Sequence, residues 1–161
     1  MINLLWGGIT GALGLLWLIM ESALGRFEAG TSAEVQVLWL QLCPLGVIGA
    51  MVHRRLAGTT TPYGDTVRNG MYASVYGSLA LCVVWLFFYN VLMPDYLEVV
   101  LRGTELKYRH IISNQEALRT VLSAKAATLS APMIYILGTL IPLVTGSATA
   151  AIAAIWLRNR R

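Results

Sequence analysis

Apolar residues fall along this chain in four long blocks, not in the short alternating runs of a half-buried sheet or the one-faced stripes of a helix in water. Residues 2–24 carry one charge, Glu21, and residues 35–52, 70–93 and 133–157 carry none. A helix rises 1.5 Å per residue, and a bilayer core of about 30 Å takes roughly 20 largely apolar residues per crossing. Each block predicts one transmembrane helix. The first block begins "MINLLWGG", with no lysine or arginine and more length than the apolar stretch of a leader peptide, so it is read as a permanent span.

The polar connections are short except for 94–131. Pro94 suits the first turn of a helix because it lacks the N–H that a helix start leaves unpaired, and Asp95 complements the positive end of the helix dipole. Leu97, Val100, Leu101, Leu106, Tyr108, Ile111 and Ile112 then recur at nearly helical spacing, interrupted at Gly103. A second start follows at "SNQE", where Ser113 is placed to cap and Glu116 to reach back, ahead of a stripe of Leu118, Val121, Leu122 and Leu129. The spacing predicts amphipathic helices that lie on the membrane surface or close the mouth of the packed spans. The expected fold is an all-α integral membrane protein, a single domain over 1–161, with four transmembrane helices and an amphipathic helical link between spans 3 and 4.

Apolar side chains gain little by meeting one another in lipid, so spans associate where small residues let backbones approach. Gly7 and Gly11 form such a face in span 1, beside Gly8 and Ala12. Span 3 offers Gly70, Ala73, Ser74, Gly77 and Ser78. Span 4 places Gly138, Pro142, Gly146, Ala150 and Ala154 at every fourth residue. The helix-packing residues expected from this are Gly7, Gly11, Gly138, Gly146, Ala150 and Ala154, packing within one chain or against a second copy. Pro44 and Pro142 predict bends in spans 2 and 4.

Composition agrees with the pattern: 57% of the 161 residues are hydrophobic and 12% charged, where a soluble domain carries about a quarter charged residues. The net charge of +4 does not form a basic face in water, which argues against nucleic acid as a partner. Arg54, Arg55, Arg68, Arg158, Arg160 and Arg161 fall on one side of a four-span topology with Asp65. The other side holds seven of the eight acids. The excess of arginine marks the cytoplasmic side, so N-in and C-in is expected. Trp6, Trp39 and Trp156 suit the headgroup level, while Trp17 and Trp85 lie deeper.

An ionisable residue within a span is a functional candidate. Glu21 is expected at the depth of Gln36, Gln41, Tyr89 and Asn90, and these five form the candidate polar pocket. The competing reading is an interfacial glutamate that reaches water with help from Arg26. Arg54, Arg55 and Arg68 are candidate lipid-headgroup contacts, with topological anchoring as the alternative. Cys43 and Cys82 both fall in spans, where a thiol packs as a small hydrophobe, and His53 and His110 are expected on opposite sides, unable to share a metal. No HExxH, CxxC, GxSxG or phosphate-loop pattern occurs, so no catalytic residue, metal or cofactor is expected.

The run "TPYGDTVRNGMYASVYGSLALCVVWLFFYNVLMPDYLEVVL", an amphipathic link, and "ILGTLIPLVTGSATAAIAAIWLRNRR" resemble a family of small four-span bacterial membrane proteins catalogued as a domain of unknown function, number 4199. The resemblance covers nearly the whole chain. It implies an inner-membrane protein and brings no established activity or functional residues. The expected role is that of a non-enzymatic accessory or interaction subunit acting through helix packing, in the lipid bilayer, as a homo-oligomer or within a larger membrane complex. A small oligomeric transporter or channel with a polar outer vestibule around Glu21 is the alternative.

Overall fold

The computed structural model describes the backbone of residues 1–29, 32–58, 62–130 and 136–157, and side chains other than those of 32–40 and 137. The side chains of Gln36 and Trp39 and the terminal Arg158, Arg160 and Arg161 therefore lie outside the described residues. Among those described, regular structure is entirely helical: α1 (Ile2–Ala23), α2 (Ser32–Leu56), α3 (Tyr63–Phe87), α4 (Tyr96–Arg109), α5 (Gln115–Thr128) and α6 (Ile141–Leu157). Wider π-helical turns extend α3 over Phe88–Leu92 and precede α6 over Ile136–Leu140. Helices α2 and α3 outrun their apolar blocks at the arginine-rich end, because backbone hydrogen bonding does not stop where hydrophobicity does.

Among the described residues, three segments are long and apolar enough to cross a membrane: Ile2–Ala23, Tyr63–Leu92 and Gly138–Leu157. Their direction follows from which small residues meet. Gly7 abuts Tyr76 and Gly11 abuts Ala80, so α1 and α3 run parallel. Gly46 meets Thr10 and Gly49 meets the Trp6 ring, so α2 runs against α1. Gly70 meets Ala150 and Gly146 meets Ser74 and Cys43, so α6 runs against α3 and alongside α2. A Cβ added at Gly70 would stand 2.5 Å from that of Ala150 and 2.9 Å from the Met51 sulfur. These contacts hold backbones at a distance that only glycine, alanine and serine permit.

Small and polar residues share the interior with the apolar core, while many large apolar ones stand outside. Asn3, Gly7, Thr10, Gly11, Gly14, Gly70, Ser74, Gly77, Ser78, Gly146, Ala150 and Ala154 are buried. Leu5, Leu13, Leu16, Ile19, Leu45, Leu79, Val83, Val144 and Ile152 point outward. Pro44 stands inside α2, whereas Pro142 stands at the second residue of α6, just after the π-helical turns.

The connection after α3 departs from expectation in three places. Met93 leaves helical geometry, as the residue before a proline tends to, and α4 begins at Tyr96, two residues beyond Pro94. Gly103 does not interrupt α4: it is buried with Tyr96, Val100 and Thr104 on one stripe, giving the helix a close approach to what it covers. Asn114, not Ser113, caps α5, accepting from the Glu116 N–H at 2.9 Å, because it is Asn114 that holds the extended conformation a cap requires. Helix α4 closes over one end of the packed helices through Tyr96, which is fully buried. Its ring lies 5.1 Å from Phe27, 6.0 Å from Trp85, 6.4 Å from Phe88 and 5.7 Å from Tyr89. Edge-to-face rings at such spacings add to the area they bury.

Two outcomes follow for stability in detergent. Gly70→Leu is expected to lower thermal stability by about 1–3 kcal/mol or to prevent folding, as overpacking does, while Gly64→Leu, whose added Cβ meets nothing within 4 Å, leaves it nearly unchanged. Burial, and after it the neighbouring Tyr89, push the Tyr96 phenol above its ordinary value. The fold thus favours the neutral phenol, and its contribution is whole below an unfolded value of about 10 and declines as the pH rises past it. Tyr96→Phe should therefore soften the fall in melting temperature above about pH 10, and identical pH profiles for variant and parent would refute this linkage.

Candidate functional site

Polar side chains collect at three depths. At mid-height Thr10, Cys43, Ser74 and Ser78 sit between the helices. Ser74 donates to the Leu143 carbonyl at 2.9 Å, tying α3 to α6, and the Cys43 thiol donates weakly to the Ser74 carbonyl at 3.6 Å, tying α2 to α3. Thr10 and Ser78 return their hydroxyls to their own helices, at Trp6 and Val75. These groups are satisfied by protein backbone, which is what an interior shielded from water requires.

At the end where α1, α3 and α6 have their N-, N- and C-termini, basic side chains stitch helix ends together. Arg54 Nε donates to Asn3 Oδ1 at 3.3 Å, joining α2 to α1. Arg55 donates to the Trp156 carbonyl at 3.3 Å, where a cation also suits the negative end of α6. Trp6 Nε1 donates to His53 Nδ1 at 3.3 Å, Tyr63 donates to the Ala151 carbonyl, and Arg68 pairs with Asp65 at 2.9 Å within the first turns of α3. Of the candidate headgroup residues, Arg54 and Arg55 are thus engaged in holding helices and Arg68 is in an exposed pair.

At the opposite end the proposed polar pocket is only partly assembled. Glu21 is 1% exposed, with Arg26 Nε 3.6 Å from its Oε2. The interfacial reading correctly named Arg26, but the carboxylate is covered, not turned to water. Gln41 is exposed on α2, and Asn90 is exposed and donates to the Leu86 carbonyl of its own helix at 2.8 Å, so neither joins Glu21. Tyr89 is half-buried against Tyr96. Sequence reasoning missed Trp17 and Tyr96. The available signals were the i,i+4 spacing of Trp17 and Glu21 on one face of α1, and the tyrosine just inside the helix start "PDYLE".

Beyond these layers, a groove of about 560 Å³ between α4 and α5 is lined by Leu97, Leu101 and Leu122 with Glu98, Arg102 and Glu105 at its rim. Burial, and secondarily Lys107, hold the Lys125 ammonium of α5 below its ordinary value. A second groove of about 770 Å³ runs along the outer face of α1, past Leu4, Leu5, Gly8, Ile9 and Ala12 to His53. Among the described residues no three histidine, cysteine or acidic side chains gather as a metal would require, and both cysteines are free.

Gly7, Gly11, Gly138, Gly146, Ala150 and Ala154 are all buried inside the single chain. The shape that results is a tightly zipped set of apolar helices with a stitched basic end and an aromatic-capped opposite end. No curated protein and no solved structure matches this chain. The family model described as "Protein of unknown function (DUF4199)" matches residues 5–159, and the chain belongs to that family.

Proposed function

We propose that this chain is a four-span integral membrane protein of the bacterial inner membrane, with both termini cytoplasmic, that serves without catalysis as an accessory or interaction subunit. The arrangement of polarity carries the reading: many leucines, isoleucines and valines cover the outside, while glycine, serine and threonine share the interior with Leu18, Val47 and Leu81. Helix α2 is taken as the fourth span because it packs against α1, α3 and α6. The cytoplasmic assignment rests on the arginines at one end and the acids toward the other.

Support for an interaction role comes from what the interior lacks and the exterior keeps. The mid-height hydroxyls and thiol are engaged with backbone carbonyls, leaving there no chain of ionisable groups of the kind pumps and transporters use. Most small-residue faces are consumed within the chain, but Gly8 and Ala12 remain exposed in the groove on α1, and a Cβ added at Gly8 would meet nothing within 4 Å. A helix of another subunit can approach α1 most closely there. The transporter or channel reading draws support from the buried Glu21 alone, and it requires ion or solute flux in liposomes that Glu21→Gln diminishes.

Two measurements test the proposal. Purified in mild detergent, the protein is expected to travel as an assembly heavier than one chain, and Gly8→Leu to release the single chain with its helical content intact; a monodisperse monomer without companion from the parent sequence would overturn the interaction role. For topology, Ser113→Cys should react with a membrane-impermeant maleimide in intact cells and Ala57→Cys only after permeabilisation. The reverse pattern would invert the assigned direction.

A further inference from the structure

Among the described residues, three buried side-chain polar atoms have no hydrogen-bond partner: Glu21 Oε2, Trp17 Nε1 and the Tyr96 hydroxyl. They belong to one layer. Trp17 and Glu21 are a helical turn apart on α1, and the parallel register that sets Gly7 beside Tyr76 and Gly11 beside Ala80 carries on to bring them level with the last turns of α3. Those turns supply Trp85, Phe88 and Tyr89, the rings on which Tyr96 lies. Phe27, in the segment just after Arg26, completes the wall against Phe88 and Tyr96. A single uncompensated polar group costs free energy in such surroundings, and three in one layer call for a common partner.

The chemistry of the partner follows from the three groups. Arg26 Nε, 3.6 Å from Glu21 Oε2, is too far for a hydrogen bond but near enough to balance the charge, so a second cation has no net charge to answer. The indole N–H only donates, the carboxylate only accepts, and the phenol does both. A metal ion or ammonium would leave the indole unanswered, and an anion would face the carboxylate. What fits is a neutral group that accepts and donates. The wall rings are in mutual contact, with centroids 5.1 to 6.4 Å apart, so a bulky ligand has no place among them.

We propose that this layer binds a neutral hydroxyl, from water or from the headgroup of a lipid, that accepts from Trp17 Nε1–H and shares hydrogen bonds with the Glu21 carboxylate and the Tyr96 phenol. Buried waters commonly make about three such bonds. Glu21 is then the anchor of a polar site beneath α4, and Arg26, half-exposed beside it, stands toward solvent.

Hydroxyl-radical footprinting by X-ray radiolysis tests the site in the intact protein, in nanodiscs prepared in water enriched in oxygen-18. With a water guest, Trp17 and Tyr96 take up the heavy oxygen several-fold faster than the buried Trp85 and Phe88 after correction for intrinsic reactivity, despite the complete burial of Tyr96. Glu21→Gln, which keeps an acceptor and adds a donor, retains most of this; Glu21→Leu loses it. Tyr96→Phe, which preserves the ring packing, slows labelling of Trp17 and guards against misfolding of the leucine variant. With a lipid guest the fast labelling is absent, and native mass spectrometry instead shows a lipid retained by the parent and shed by Glu21→Leu. Neither fast labelling nor a Glu21-dependent lipid, or fast labelling indifferent to Glu21→Leu and Tyr96→Phe, overturns the proposal.

Discussion

Backbone-to-backbone contact at small residues is the interaction on which this fold depends. Many large apolar side chains face outward, and in lipid those that face inward gain little from burial itself, so association falls to close packing and a few hydrogen bonds. Gly7 against Tyr76, Gly11 against Ala80 and Gly70 against Ala150 set the spacing of α1, α3 and α6, and the same contacts set their directions. At that spacing Ser74 reaches the Leu143 carbonyl and Cys43 the Ser74 carbonyl. The hydrogen bonds at mid-height are therefore consequences of the close approach. They would lengthen beyond use if the helices were separated by a leucine's width.

The two ends are finished by different chemistry. At the arginine end, charged and aromatic side chains cross between helices to carbonyls, an amide and an imidazole, interactions that tolerate water and lipid headgroups. At the other end rings do the work: Phe27, Trp85, Phe88, Tyr89 and Tyr96 pack edge to face, and α4 is pinned by the last of them. The long connection is thus more than a tether. Its first helix is a lid held by a buried tyrosine, and its second, α5, has no buried residue of its own and leans on α4. Glu21 is covered at this same end, where the Trp17 Nε1 and the Tyr96 hydroxyl are also buried.

Much of this was legible in the residues read in order. The apolar blocks, the small residues at every fourth position of α6 and the amphipathic stripe of α4 are local periodicities, and the backbone hydrogen bonding of a helix makes them visible one segment at a time. The caps were less so. Ser113 and Asn114 are equally good cap residues, and only the chain's path out of α4 decides which adopts the extended conformation. Gly103 read as a break because glycine weakens a helix, whereas burial against the rest of the fold outweighs that cost.

The sequence by itself determined that the chain folds as helices, where its long apolar segments lie, and which faces are narrow enough to touch, because each of these depends on residue type and spacing alone. Tertiary structure decided what shares a depth and what faces inward. Asn90 has the right height for Glu21 but faces outward, Gln41 is exposed and lies at a different level of α2, and Tyr96, distant in the chain, arrives because α4 folds back across the end of α3. Rotation about a helix axis and the angle of a returning lid are set by packing between segments. A one-dimensional pattern encodes height along a helix, but the direction a side chain finally points is settled only by its neighbours.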